Sequence, residues 1–104
     1  MFIMQASFEV ARQFEDRMQA KYRKDREAIK EAEGNIAYEC WRREHDTTVE
    51  YVFVSKWEQE ADFKKWISRD AHKQEHREQI QRRRAGEDDG FSVKKVLHSF
   101  ELFV

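Results

Sequence analysis

The spacing of apolar residues switches between a period of two and a period near 3.6 along this chain, and the order of the switches leaves few folds open. From Phe2 to Val10 the residues Phe2, Met4, Ala6, Phe8 and Val10 share one face, while Gln5, Ser7 and Glu9 share the other, the pattern of a strand. From about Arg12 to Glu33 the spacing predicts a helix, with Phe14, Met18, Tyr22 and Ile29 between charged residues. Gly34 stands where a glycine would close that helix. Asn35 to Arg43 and Val49 to Trp57 read as two strands, and His45-Asp46-Thr47-Thr48 is short enough for a hairpin turn between them. A second helical region spans roughly Gln59 to Arg83, its apolar stripe clear through Ile67 and sparse beyond. A polar loop follows from Arg82 to Gly90, and Phe91 to Val104 reads as a last strand ending F-E-L-F-V.

The order is β-α-β-β-α-β. Two right-handed crossovers around a hairpin give a four-stranded antiparallel sheet with both helices on one face, an α+β, ferredoxin-like fold. At 104 residues the chain is expected to form one domain, residues 1–104. A chain of this size buries only about 60–65% of its unfolded surface, so association would help it. Tyr51, Phe53 and Trp57 lie on one side of the third strand and Val52 and Val54 on the other, and all four strands read as apolar on both sides. An apolar sheet face of that size usually marks an interface. The expectation is a homodimer, its two sheets packed face to face or closed into one barrel.

Charge excludes several partners. The net charge is −1 and the pI about 6.4, which favours neither nucleic acid nor an acidic membrane. Arg82-Arg83-Arg84 is followed at once by Glu87-Asp88-Asp89, so that run is read as a solvated loop or as a partner for ligand carboxylates, and not as a nucleic-acid patch. Aromatic residues make up 13% of the chain, which argues against disorder although 39% is charged. The single cysteine, Cys40, allows no internal disulfide. It shares a side with Ile36 and Tyr38 and reads as a small packed residue. No apolar run is long enough to cross a bilayer or to form a signal-peptide core, and the expectation is a soluble, cytoplasmic protein. Phosphate-cradling glycine loops, serine-nucleophile elbows and nicotinamide or flavin fingerprints are absent.

The stretch Trp57 to His76 carries the chemistry. Phe63, Trp66 and Ile67 lie on one side of the second helix, and His76 follows ten residues after Trp66. A flat indole and an imidazole from one element could clamp a flat aromatic ligand, the histidine binding a metal or moving a proton. In a continuous helix the two would stand about 15 Å apart along the axis and roughly 80° apart around it. A break is therefore expected near Ile67–Asp70, with Ser68 and Asp70 as N-cap candidates for a restarted helix. His72 and His76 share a helix face at a spacing that could hold zinc, but two ligands make a weak site. The plain alternatives are that Trp66 packs in the core with Phe63 and Ile67, that His76 is a surface residue, and that His98 is a satisfied core histidine and not one facing a pocket or an interface.

The stretch Trp57-Glu58-Gln59-Glu60-Ala61-Asp62-Phe63, then Trp66, then R-D-A-H-K-Q-E-H ending at His76, resembles the antibiotic-biosynthesis-monooxygenase superfamily, and within it the haem-degrading monooxygenases. The resemblance implies a dimeric α+β barrel with one pocket per subunit between helices and sheet. It implies haem as both substrate and cofactor, with His76 as axial ligand to the iron and Trp66 pressed on the porphyrin. If haem is the ligand, Phe63 and Ala6 are read as lining its pocket, and the arginine run, through Arg83, as a partner for its propionates in place of a solvated loop. The haem degraders carry an asparagine in the first strand where this chain has Ala6, with Ser7 beside it facing the other way by the alternation.

Three functions follow. The first is oxidative opening of haem with iron release, using O2 and an external electron donor. The second is a cofactor-independent monooxygenase on a flat phenolic or quinol substrate, with His76 or His98 as base. The third is a non-enzymatic dimer that binds haem or mediates association.

Overall fold

The computed structural model of the chain describes residues 1–69 and 91–104. Its strands are β1 (Phe2–Ala11), β2 (Asn35–Glu44), β3 (Thr48–Trp57) and β4 (Lys94–Glu101), and its helices are α1 (Glu15–Ile29) and α2 (Glu60–Ile67). The strands form one antiparallel sheet in the order β2-β3-β1-β4, with β1 and β3 at its centre. This is the ferredoxin-like arrangement expected from the sequence.

The pairing register fixes which side chains share a face. Ala6 stands opposite Phe53 and Leu97, and Ser7 opposite Val52 and Val96. Because side chains alternate, Phe2, Met4, Ala6, Phe8 and Val10 point to the same side as Val49, Tyr51, Phe53 and Trp57. That side meets the helices. Phe8, Val10, Val49, Tyr51 and Phe53 pack with Met18 of α1, and a second cluster joins Phe2, Trp57 and Ile29 to Phe63 and Trp66 of α2. Tyr38 of β2 touches both clusters.

Several boundaries differ from the periodicity. Residues Arg12–Phe14 form a 3-10 turn, and α1 ends at Ile29, four residues before Glu33. The chain then unwinds through turns closed by the Glu31 and Ala32 amides on the carbonyls of Ala28 and Ile29. Past Ile29 the sequence K-E-A-E-G offers only Ala32 to the core, so further helix would bury little. β4 is shorter than expected, and Leu102, Phe103 and Val104 lie beyond it, exposed.

Gly34 therefore does not cap α1. It has φ +80° and lies where the chain enters β2, against the side chain of Asp62 on α2. The Glu58 amide donates to its carbonyl at 2.9 Å. A β-carbon there would meet both the left-handed backbone penalty and the Asp62 carboxylate. Gly34→Ala is expected to lower stability by about 1–2 kcal/mol, read from urea unfolding at constant m-value.

The sheet face away from the helices is not uniformly apolar as expected. Ile3, Trp41, Val52, Val54, Val96 and Phe100 share it with Gln5, Ser7, Glu9, Glu39, Arg43, Glu50, Lys94 and His98. The hairpin between β2 and β3 closes on His45–Thr48, the His45 amide donating to the Thr48 carbonyl at 2.9 Å. The register slips between Asn35 and Ala37, which takes Ile36 out of the alternation and leaves Tyr38 and Cys40 without it on the helix side.

Candidate functional site

Trp57 ends β3 fully buried and makes a floor for α2. An isolated helix of eight residues is not stable in water, so packing has to hold α2 in place. Phe63 supplies part of that packing. Its ring centroid lies 5.5 Å from that of Phe2 and 6.0 Å from that of Trp57. Trp66, one turn on, lies 6.4 Å from Trp57 at an interplanar angle of 39° and is half-buried. It is thus a core contact through Trp57 without being fully buried.

The helix stops directly after Trp66 and Ile67. The Ser68 hydroxyl donates to the carbonyls of Lys64 at 2.8 Å and Lys65 at 3.2 Å, and its amide also turns back to Lys64. The end of α2 falls within the stretch where a break was expected, and Ser68 closes the helix; whether a helix restarts beyond it lies outside the described residues. Asp70, His72, His76, Arg83 and the Arg82–Gly90 loop lie outside the described residues.

Arg69 follows the break and folds back over Trp66. Its guanidinium carbon sits 3.4 Å from the centroid of the indole ring. One terminal nitrogen donates to the Trp66 carbonyl at 2.8 Å, and the other lies 3.4 Å from Oδ1 of Asp25 on α1. Asp25 is buried and also faces Lys21 Nζ at 3.4 Å. The Arg69 Nε is buried with no hydrogen-bond partner among the described residues. Tyr38 completes this side, its ring 5.2 Å from Tyr22. Burial, and after it the Asp25 charge, raises the Tyr38 phenol well above its ordinary range, so it stays protonated. Burial also pushes the Cys40 thiol up to about 11, which makes it a packed thiol and not a nucleophile.

Ala6 lies on the same side of the sheet, packed against the cluster that includes Tyr38. Trp66, Phe63 and Ala6 are thus brought to one side, with Tyr38 linking their two clusters. Sequence reasoning missed Asp25, Tyr38 and Arg69. The i,i+3 spacing of Trp66 and Arg69 and the i,i+4 spacing of Lys21 and Asp25 were the available signals.

His98 is not in this group, nor is it a core histidine. It pairs with Gln5, is exposed, and points to the other face, 6.5 Å from Phe100. A groove of about 520 Å³ opens on that face, lined by Ser7, Trp41, His45, Glu50, Val96 and His98 among others. Its centre is already neutralised. Glu50 accepts from Ser7 Oγ at 2.5 Å and Arg43 Nε at 2.6 Å and faces His45 Nε2 at 2.9 Å. The Ser7 hydrogen bond, then Arg43 and His45, depress the Glu50 carboxyl to about 2. A carboxyl whose folded pKa lies below its unfolded value stabilises the fold above the unfolded value and loses that contribution as pH falls toward the folded one. Wild type is therefore expected to lose more stability than Glu50→Gln between pH 4.5 and 2, while the variant costs about 1.5–3 kcal/mol at pH 7; thermal midpoints across that range check both. Among the described residues no group of three or more His, Cys, Asp or Glu is placed to hold a metal, and no helix is long and apolar enough to cross a membrane.

Residues 1–78 match the family model described as antibiotic biosynthesis monooxygenase. Among solved structures, a putative member of that family from Deinococcus radiodurans superposes with a TM-score of 0.71 at 9% identity, over 100% of this chain and 94% of the other. The haem degrader MhuD from Mycobacterium tuberculosis, solved with two haems in its active site, gives 0.64 at 16% identity, over 100% and 97%. A protein from Shewanella oneidensis gives 0.62 at 21% identity, over 96% and 92%. No curated protein matches the chain.

Proposed function

Because the chain belongs to the antibiotic biosynthesis monooxygenase family, we propose that it is a monooxygenase whose flat aromatic ligand lies against Trp66 on the helix side of the sheet, and that this ligand is haem. The observation that carries the reading is the indole of Trp66. It is rooted on Trp57 yet presents a ring face to a planar guanidinium at 3.4 Å, and a face that stacks one flat group can stack another.

The described residues fit a porphyrin in kind. Trp66 and Phe63 offer aromatic surface, Ala6 adds little bulk, and the buried Arg69 Nε marks a polar position still lacking a partner among the described residues. In this reading His76 binds the iron, Trp66, Phe63 and Ala6 contact the ring, and Arg83 pairs with the propionates. Bound haem would supply the redox chemistry that turns O2 and electrons from an external donor into oxidative opening of the macrocycle with loss of iron. The work of the protein is to orient the ring and to press on it through Trp66. Ala6 presents a methyl group, so it contributes no amide hydrogen bond. Two protomers packed through their sheets would give one such site per subunit.

Ala6 favours a second reading, in which a phenolic or quinol substrate occupies the same place and reacts with oxygen without a cofactor. His76 would then be the base, because His98 lies across the sheet from Trp66. A haemin titration of the purified protein separates the two. The haem reading predicts a saturable Soret band at one haem per subunit; failure to saturate removes it and leaves the quinol reading.

A further inference from the structure

Arg69 follows α2 and folds back over Trp66. Its guanidinium occupies the Trp66 face that a flat ligand would take, so ligand binding has to move it. The Trp66 carbonyl holds one terminal nitrogen at 2.8 Å and the indole holds the guanidinium face, but the other two nitrogens are poorly held. The Asp25 contact is long, at 3.4 Å, and Nε has no partner among the described residues. Burying a guanidinium nitrogen without a partner carries a cost that a better acceptor would remove. Asp25 would not be stranded by the exchange, because Lys21 faces its other oxygen at 3.4 Å. One buried carboxylate shared by two cations permits one of them to leave.

We propose that Arg69 receives an anionic substituent, a carboxylate, of the ligand that stacks on Trp66, exchanging the indole face and Asp25 for that group. The proposal rests on the Trp66 site described above and names the ligand class as a flat aromatic acid. A guanidinium can meet a carboxylate with two parallel N–H donors, Nε among them, which satisfies the nitrogen now without a partner. Arg69 then acts twice. It covers Trp66 in the free protein and selects acids over neutral rings on binding.

The test uses tryptophan fluorescence titrations with two probes of the same ring, protoporphyrin IX and its dimethyl ester. Neither contains iron, so His76 ligation does not enter. With Arg69→Gln, affinity for the acid is expected to fall about tenfold or more while affinity for the ester is unchanged or rises, since a competitor for the indole face is gone. Asp25→Asn works in the opposite direction. It releases Arg69, so acid binding strengthens a few-fold and ester binding does not. Equal losses for both probes in Arg69→Gln, or no change in either, would overturn the proposal while leaving the Trp66 site intact. If the wild-type chain binds neither probe, the Trp66 site itself is wrong and the proposal falls with it. Should Arg69→Gln fail to fold, Asp25→Asn decides alone: a gain for the acid only supports the exchange, and any other pattern refutes it.

Discussion

Trp57→Ala is expected to lower stability by about 3–5 kcal/mol, the range for removing a buried tryptophan or phenylalanine side chain. A small domain has only about 5–15 kcal/mol in total, so the variant would stand near its unfolding threshold at room temperature. The loss should not be spread evenly. Trp57 is fully buried and is the shared contact of Phe63 and Trp66, and α2 is too short to persist without them. The end of the sheet near Phe2 would be left with a cavity, and α2 would detach first. Hydrogen exchange should therefore show α2 amides opening well below the global unfolding energy, while β1 and β3 amides remain the best protected. Trp57→Phe tests the same point more gently. The Trp57 indole N–H is buried with no partner among the described residues, so phenylalanine removes an unsatisfied donor as well as volume. Its cost should stay at about 1–2 kcal/mol, and ligand binding at Trp66 should survive.

His76→Ala is expected to weaken haemin binding by at least about 100-fold. Changes one step removed from a metal already cost about 10–100-fold in affinity, and loss of the ligand itself should exceed them. Stacking on Trp66 would persist, so the variant should still bind metal-free protoporphyrin IX within about threefold of wild type, since stacking and ligation act on different parts of the molecule. That split distinguishes an iron ligand from a residue that merely supports the site, whose removal would weaken both. A His76→Ala variant that binds haemin as wild type does would remove the axial role.

Much of the fold was legible because it follows from period alone. The alternation through β1 placed Ala6 inward and Ser7 outward, and the register with Phe53 and Val52 agrees. The two helices and the hairpin followed from spacing in the same way. Less legible were features set by single contacts. Periodicity carried the first helix to Glu33, but once Ile29 is buried nothing beyond it is strongly apolar, and the chain turns instead. Gly34 looked like a helix cap, yet its positive φ serves the entry to β2 and the approach of Asp62. The open sheet face looked apolar because Val52, Val54 and Val96 are easy to see in sequence. The pairing of Glu50 with Ser7, Arg43 and His45 depends on residues 5 to 43 positions away and has no local signature.

The candidate site divides along the same line. Trp66 and Phe63 could be assigned to one helix face from their spacing, and the requirement that Trp66 and His76 converge led to an expected break near Ile67–Asp70, where α2 ends at Ile67. Arg69 could not be placed so easily. Reading it on the indole requires knowing that Ser68 turns the chain back and that Asp25 waits on the neighbouring helix. In a chain with 20 lysines and arginines, its charge alone carries no local signal.

The most direct measurement of the central claim is a turnover experiment under air. The protein is loaded with one haemin per subunit, a reductant is added, and the Soret band is followed together with released iron captured by a ferrous chelator. Loss of the band with stoichiometric iron release, suppressed when oxygen is excluded, is the predicted result. A Soret band that persists in the presence of reductant and oxygen, with no iron captured, would contradict haem opening by this chain.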